Sequence, residues 1–104
     1  MIKWYRNKIE TELGDLCWDC LSLVRDVLLP SAEFQEAIVF YKKMRGDYYR
    51  YLCEFTYGDM RKEIMFDAQE IYKDAFTDSE HLKPTHPIRL ALALNYSLFL
   101  NEIM

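Results

Sequence analysis

The sequence predicts an all-α protein, an antiparallel helical array of about four helices. Three observations carry this. Only 3 Gly and 3 Pro in 104 residues leave little material for turns. Apolar residues recur at steps of three and four over long stretches, the period of a half-buried helix rather than a strand. With 51% hydrophobic and 15% aromatic residues, the chain has enough apolar surface for a core. Its length suits one domain, residues 1–104, near the lower end of comfortable single-core size.

In the first helix, expected from Ile2 to Leu29, Ile9, Leu13, Leu16, Cys17, Cys20, Leu21, Val24 and Leu28 form a single apolar stripe. Pro30 ends it, and Ser31 is placed to cap the next helix, with Glu33 and Glu36 in its early turns. The second helix is expected over Ala32 to Tyr57. Gly46 in its interior costs about 1 kcal/mol against Ala. Either something approaches the backbone there or the defect is tolerated.

Gly58-Asp59 reads as a stop followed by a cap. The third helix, Asp59 to Thr77, turns Ile64, Ala68, Ile71, Ala75 and Phe76 inward and Arg61, Lys62, Glu63 and Glu70 to water. Pro84 to Pro87 break the chain, with Pro87 at a first-turn position of the last helix. That helix, Pro87 to Ile103, is apolar nearly all round, so it expects neighbours on several sides. Three other helices do not supply them all, and exposed apolar surface is expected.

A net charge of -4 argues against general nucleic-acid binding. No run is long and apolar enough to span a membrane, and no apolar region follows the first charged residues as in a secretory signal. The 3 cysteines read as reduced thiols, and together these features predict a cytoplasmic protein. Against this acidic background stands one cationic and aromatic run, Phe40-Tyr41-Lys42-Lys43-Met44-Arg45-Gly46-Asp47-Tyr48-Tyr49-Arg50-Tyr51. Seven residues advance a helix by about two turns, so Lys43 and Arg50 share a face, with Tyr51 about 100° round. Arg forks onto an anionic group such as phosphate, and Tyr donates one further bond. The plainer reading is a solvated helix face. On the last helix, Leu94, Asn95, Leu98 and Glu102 form a mixed stripe, and an Asn amide both donates and accepts, as an extended peptide backbone requires. The plainer reading there is the polar edge of a core helix.

The run ending Gly46-Asp47-Tyr48-Tyr49-Arg50-Tyr51 resembles the 14-3-3 proteins. So do Pro84-Thr85-His86-Pro87-Ile88-Arg89-Leu90-Ala91-Leu92-Ala93-Leu94-Asn95 and the N-terminal Tyr5 to Leu13. The resemblance covers essentially the whole chain, while the chain covers less than half of the family. It implies the middle helices of a 14-3-3 fold and phosphoserine- or phosphothreonine-dependent protein binding in signal transduction. Arg50 and Tyr51 would then hold phosphate, Lys43 would add positive field, and Asn95 would fix the peptide backbone. Leu94, Leu98 and Glu102 would line the opposite wall. No cofactor is implied. The implied partners are phosphorylated client proteins or a full-length relative, with no nucleic acid and no membrane. The family's earlier helix with its Lys and Arg, its N-terminal dimer helices and its last two helices have no counterpart here. The usual dimer is therefore not expected, although positions resembling Tyr5, Lys8 and Glu12 would face it. Two missing charge-assisted contacts predict affinity weaker by about 3–6 kcal/mol. Lys42, Ala91 and Asn101 depart from the family pattern beside the site. The alternative is a helical fragment that associates with other helices or a relative without reading phosphate.

No enzyme is expected. Cys17-Trp18-Asp19-Cys20 has Cys-x-x-Cys spacing but no second ligand pair, and His81 and His86 suit surface or capping roles. Glu10 with Glu12 and Asp67 with Glu70 lie on solvated faces, and neither a nucleophile elbow nor a glycine-rich loop is present.

Overall fold

The computed structural model describes residues 2–103, with side chains from residue 6 onward. Four α-helices follow one another, α1 (Ile2–Leu23), α2 (Gln35–Cys53), α3 (Gly58–Asp78) and α4 (Pro87–Glu102), with no strand among the described residues. The all-α expectation holds. Each helix runs antiparallel to its predecessor. Between α2 and α3, Lys42 meets Asp74, Asp47 meets Tyr72 and Cys53 meets Arg61, and between α3 and α4, Phe76 meets Tyr96 and Tyr72 meets Phe99, so contacts that advance along one helix fall back along the next. It follows that α2 and α4 run in the same direction, with Asp47 beside Asn95 and Arg50 beside Glu102.

The first helix does not stay α to Leu29. After Leu23 it widens to a π turn, Val24–Leu28, closed by Leu29 N–H donating to Val24 O at 2.9 Å. Pro30 explains this, because it has no N–H to donate and its ring crowds the carbonyl one turn back. Ser31 is not the cap of α2. Its hydroxyl bonds back to Val27 O, and α2 opens three residues later than expected, behind an extended Phe34 with no side-chain cap. A Ser at a helix end satisfies whichever backbone group is nearest, and here the free carbonyls of α1 are nearer.

The second helix ends at Cys53 rather than Tyr57, in turns where Glu54 N–H and Phe55 N–H donate to Tyr51 O and Leu52 O at 3.0 Å. Gly58 then takes φ +63°, a left-handed conformation that a Cβ would strain, and α3 begins there. Asp59 makes no side-chain cap, although its charge sits in the first turn of α3. Arg61 does not face water as expected. Its Nε donates to Cys53 O at 3.1 Å, satisfying a carbonyl at the end of α2. His86 caps α4, its Nδ1 accepting from Ile88 N–H at 3.1 Å, and Pro87 occupies the first turn.

Two buried clusters form the interior. Val39, Ala68, Tyr72, Ala75, Leu82, Leu92 and Phe99 join α2, α3 and α4, with the Tyr72 ring stacked on Tyr96 at 5.5 Å. Cys17, Leu21, Leu52, Cys53 and Ile64 join α1, α2 and α3. The α1 stripe is only half used, since Ile9, Leu13 and Leu16 stay exposed. Phe76, expected inward, lies at the surface with its edge on Tyr96. Leu90, Leu94 and Leu100 are exposed on α4, as its all-round apolar surface led one to expect.

Candidate functional site

Lys43, Asp47 and Arg50 occupy steps of four and three on α2, and so share one face. Gly46 sits beside them because α3 crosses there. A Cβ at Gly46 would stand 2.8 Å from the Tyr72 ring. The glycine therefore marks a close approach and is not a tolerated defect. That approach lets the Tyr72 hydroxyl donate to Asp47 Oδ1 at 2.5 Å. Burial and then the Asp47 carboxylate push the Tyr72 phenol well above its ordinary range.

Asp47 is the only buried carboxylate among the described residues. Lys43 Nζ donates to its Oδ2 at 2.8 Å, and Asn95 Nδ2, arriving from α4, lies 3.1 Å from both oxygens. Arg50 sits one turn further on. Its side chain is 11% exposed, its nearest carboxylate is Glu102 at 4.0 Å, and its guanidinium carbon lies 5.1 Å from the Tyr51 ring centre. Arg50 Nε is buried with no hydrogen-bond partner among the described residues. A buried donor left in this way costs about 1–3 kcal/mol, so the position favours an incoming acceptor.

The structure thus brings Lys43, Arg50, Asn95 and Glu102 to one surface between α2 and α4. Tyr51 flanks it on the α1 side, 42% exposed and lining an apolar cleft of about 460 Å³ with Leu13, Leu16, Cys17 and Cys20. Leu94 is 60% exposed and Leu98 half-buried on α4. Sequence reasoning left Asp47 and Tyr72 without a role. The i, i+4 spacing of Lys43 and Asp47 was a visible signal for the first. The second showed only through its contact with Gly46.

Elsewhere, Lys42 bridges Asp74 at 2.8 Å and also meets Asp78, tying α2 to α3. Burial pulls its pKa down, but the two carboxylates outweigh that and leave it raised. Cys17 and Cys53 are buried thiols pushed up by desolvation, a poor state for nucleophilic attack. No group of three or more potential metal ligands occurs among the described residues, and no described helix is long and apolar enough to cross a membrane. Of the positions assigned to a dimer face, Tyr5 lies outside the described side chains, and Lys8 and Glu12 are exposed on α1.

An all-α array of four antiparallel helices is the class of architecture the sequence resemblance implied. The family model described as 14-3-3 protein matches residues 1–104. The chain is 50% identical over 105 residues to 14-3-3 protein homolog 2 of Schistosoma mansoni, covering 100% of this chain and 49% of that one. It is 50% identical to 14-3-3 protein beta/alpha-B of Xenopus laevis, covering 100% of this chain and 43% of that one. Against 14-3-3-like protein B of Vicia faba it is 51% identical over 104 residues, covering 99% of this chain and 40% of that one. The chain belongs to the 14-3-3 family, and it spans less than half the length of these relatives.

Proposed function

We propose that this chain is a phosphoserine- or phosphothreonine-dependent protein-binding adaptor of the 14-3-3 type. It would regulate client proteins in cytoplasmic signal transduction, with residues 1–104 acting as one partial domain. Its partners are phosphorylated clients or peptides, and a full-length relative. Arg50 and Tyr51 hold the phosphate, Lys43 adds positive field, Asn95 fixes the peptide main chain, and Leu94, Leu98 and Glu102 shape the opposite wall. The observation that carries this reading is Arg50, whose buried Nε has no partner among the described residues and whose guanidinium stands 4.0 Å from a half-exposed carboxylate. A phosphate offers the short, charge-assisted acceptors that Glu102 does not supply at that distance.

The test is fluorescence anisotropy of a phosphoserine peptide against its unphosphorylated twin, repeated with Arg50→Glu. Binding that needs both the phosphate and Arg50 supports the reading. Equal binding of the two peptides, or none, sinks it. A second reading draws on Leu90, Leu94 and Leu100, which are 56%, 60% and 42% exposed. On that reading the chain associates with other helices or a relative, and Arg50→Glu leaves that association intact.

A further inference from the structure

Asp47 presents a puzzle that the proposed function does not resolve. A carboxylate 9% exposed sits between Lys43 and Arg50, on the surface assigned to an anion. Taken alone it repels the ligand. Its contacts are with side chains rather than free backbone. Tyr72 donates from below, Lys43 from its own helix, and Asn95 from α4. Such a carboxylate does not fold the helix, but it decides how its neighbours point.

The geometry points to Asp47 as the positioning residue of this surface, dividing main-chain recognition from phosphate recognition. The inference rests on the phosphopeptide reading above. An Asn amide has two unlike ends, one donating and one accepting, and can turn either way unless a neighbour decides. A carboxylate only accepts, so Nδ2 must face Asp47, as its 3.1 Å contacts to both oxygens require. The Oδ1 end is then the one left to accept from a peptide N–H. Lys43 is held by the same group, which fixes its ammonium in place and offsets much of its charge. Tyr72, fully buried and stacked on Tyr96, keeps Asp47 itself from moving. Asp47 therefore strengthens peptide recognition while weakening bare phosphate recognition. A merely structural acid affects both alike.

Asp47→Asn separates the two. The probes are the phosphoserine peptide and phenyl phosphate, which carries a similar dianion and no main chain. The phosphopeptide is expected to weaken about tenfold, one lost oriented hydrogen bond. Phenyl phosphate is expected to tighten roughly twofold to fivefold as Lys43 is released. A parallel ligand-free readout is the Asn95 side-chain NH2 pair in 1H–15N spectra, which shifts toward a solvent-exposed amide when Asp47 is changed. Tyr72→Phe, which removes one donor from Asp47 and leaves the carboxylate, moves every readout the same way by a smaller amount. Equal loss of both probes, or an Asn95 signal indifferent to Asp47→Asn and Tyr72→Phe alike, overturns the proposal. If wild type discriminates no phosphate while the Asn95 signal still follows Asp47, the proposed function has failed, and the assigned purpose of Asp47 fails with it. If phosphate discrimination holds and the Asn95 signal does not follow Asp47, only the positioning role is lost.

Discussion

The two ends of the basic stripe on α2 look equivalent in sequence and are opposite in structure. Lys43 is satisfied: its ammonium lies 2.8 Å from Asp47, in a network that reaches α3 and α4. Arg50 is equally withdrawn from water, yet its Nε has no partner among the described residues and its nearest described acid is at 4.0 Å. Lys43 is closely paired inside the molecule, whereas Arg50 keeps one buried donor without a partner among the described residues. Periodicity places charges on a face, but only the partners of each charge tell which one is available.

That contrast is open to attack, beginning with the largest effect. Arg50→Glu should reduce phosphopeptide affinity about hundredfold or more, since it removes a charge-assisted contact and adds repulsion. Anisotropy with the phosphorylated peptide measures this. Next comes a paired comparison of neutral substitutions. Lys43→Met leaves a buried carboxylate short of a partner, and should lower unfolding stability by about 1–3 kcal/mol while costing little affinity. Arg50→Met should do the reverse, costing affinity more and the fold less: it removes one unpaired buried donor, a Glu102 pairing at 4.0 Å and a guanidinium that lies near the Tyr72 phenol and partly offsets the rise in its pKa. Urea titrations beside binding curves would show whether the two substitutions cross in this way; equal behaviour would mean that the two cations do the same work.

A smaller effect is expected at Gly46. Gly46→Ala gains about 1 kcal/mol of helix propensity but drives a Cβ to 2.8 Å from the fully buried Tyr72 ring. Overpacking of about 1–3 kcal/mol should win, giving a net loss near 1 kcal/mol and a lower thermal midpoint. The smallest effect concerns pH. The Tyr72 phenol is raised above its ordinary value of 10.0 by burial and then by Asp47. The folded state therefore keeps this proton where the unfolded chain has lost it. The contribution is complete below about pH 10 and declines above it, by at most about 1.4 kcal/mol per pH unit. Denaturation midpoints at pH 9 and pH 11 should fall for the wild type by more than for Tyr72→Phe.

Much of this was legible in the sequence. Three- and four-residue spacing gave the helices, and Pro87 gave the start of the last one within a residue. The surface shared by Lys43, Arg50, Asn95 and Glu102 required one helix to lie alongside another, and the family resemblance supplied that pairing. What stayed hidden was relational. Ser31 had two candidate partners, and the carbonyl of Val27 won over the next helix. Arg61 reads as a surface cation until the end of α2 is placed beside it. Asp47 and Tyr72 are 25 residues apart and meet only because a glycine allows the helices to close. A pattern of polarity reports which side of a helix is wet, not which acid has found which base.

The Gly58 turn and the Arg61 clamp bear on the order in which the molecule assembles. They join α2 and α3, neighbours in sequence, into a hairpin whose closing contacts span few residues. Contacts of short span cost the least chain entropy to form, so this hairpin is the natural folding nucleus. The Asp47–Tyr72 contact is then made before α4 has docked. On this route Asn95 arrives at a carboxylate already held by Tyr72, and the surface between α2 and α4 takes its shape only once α4 has docked.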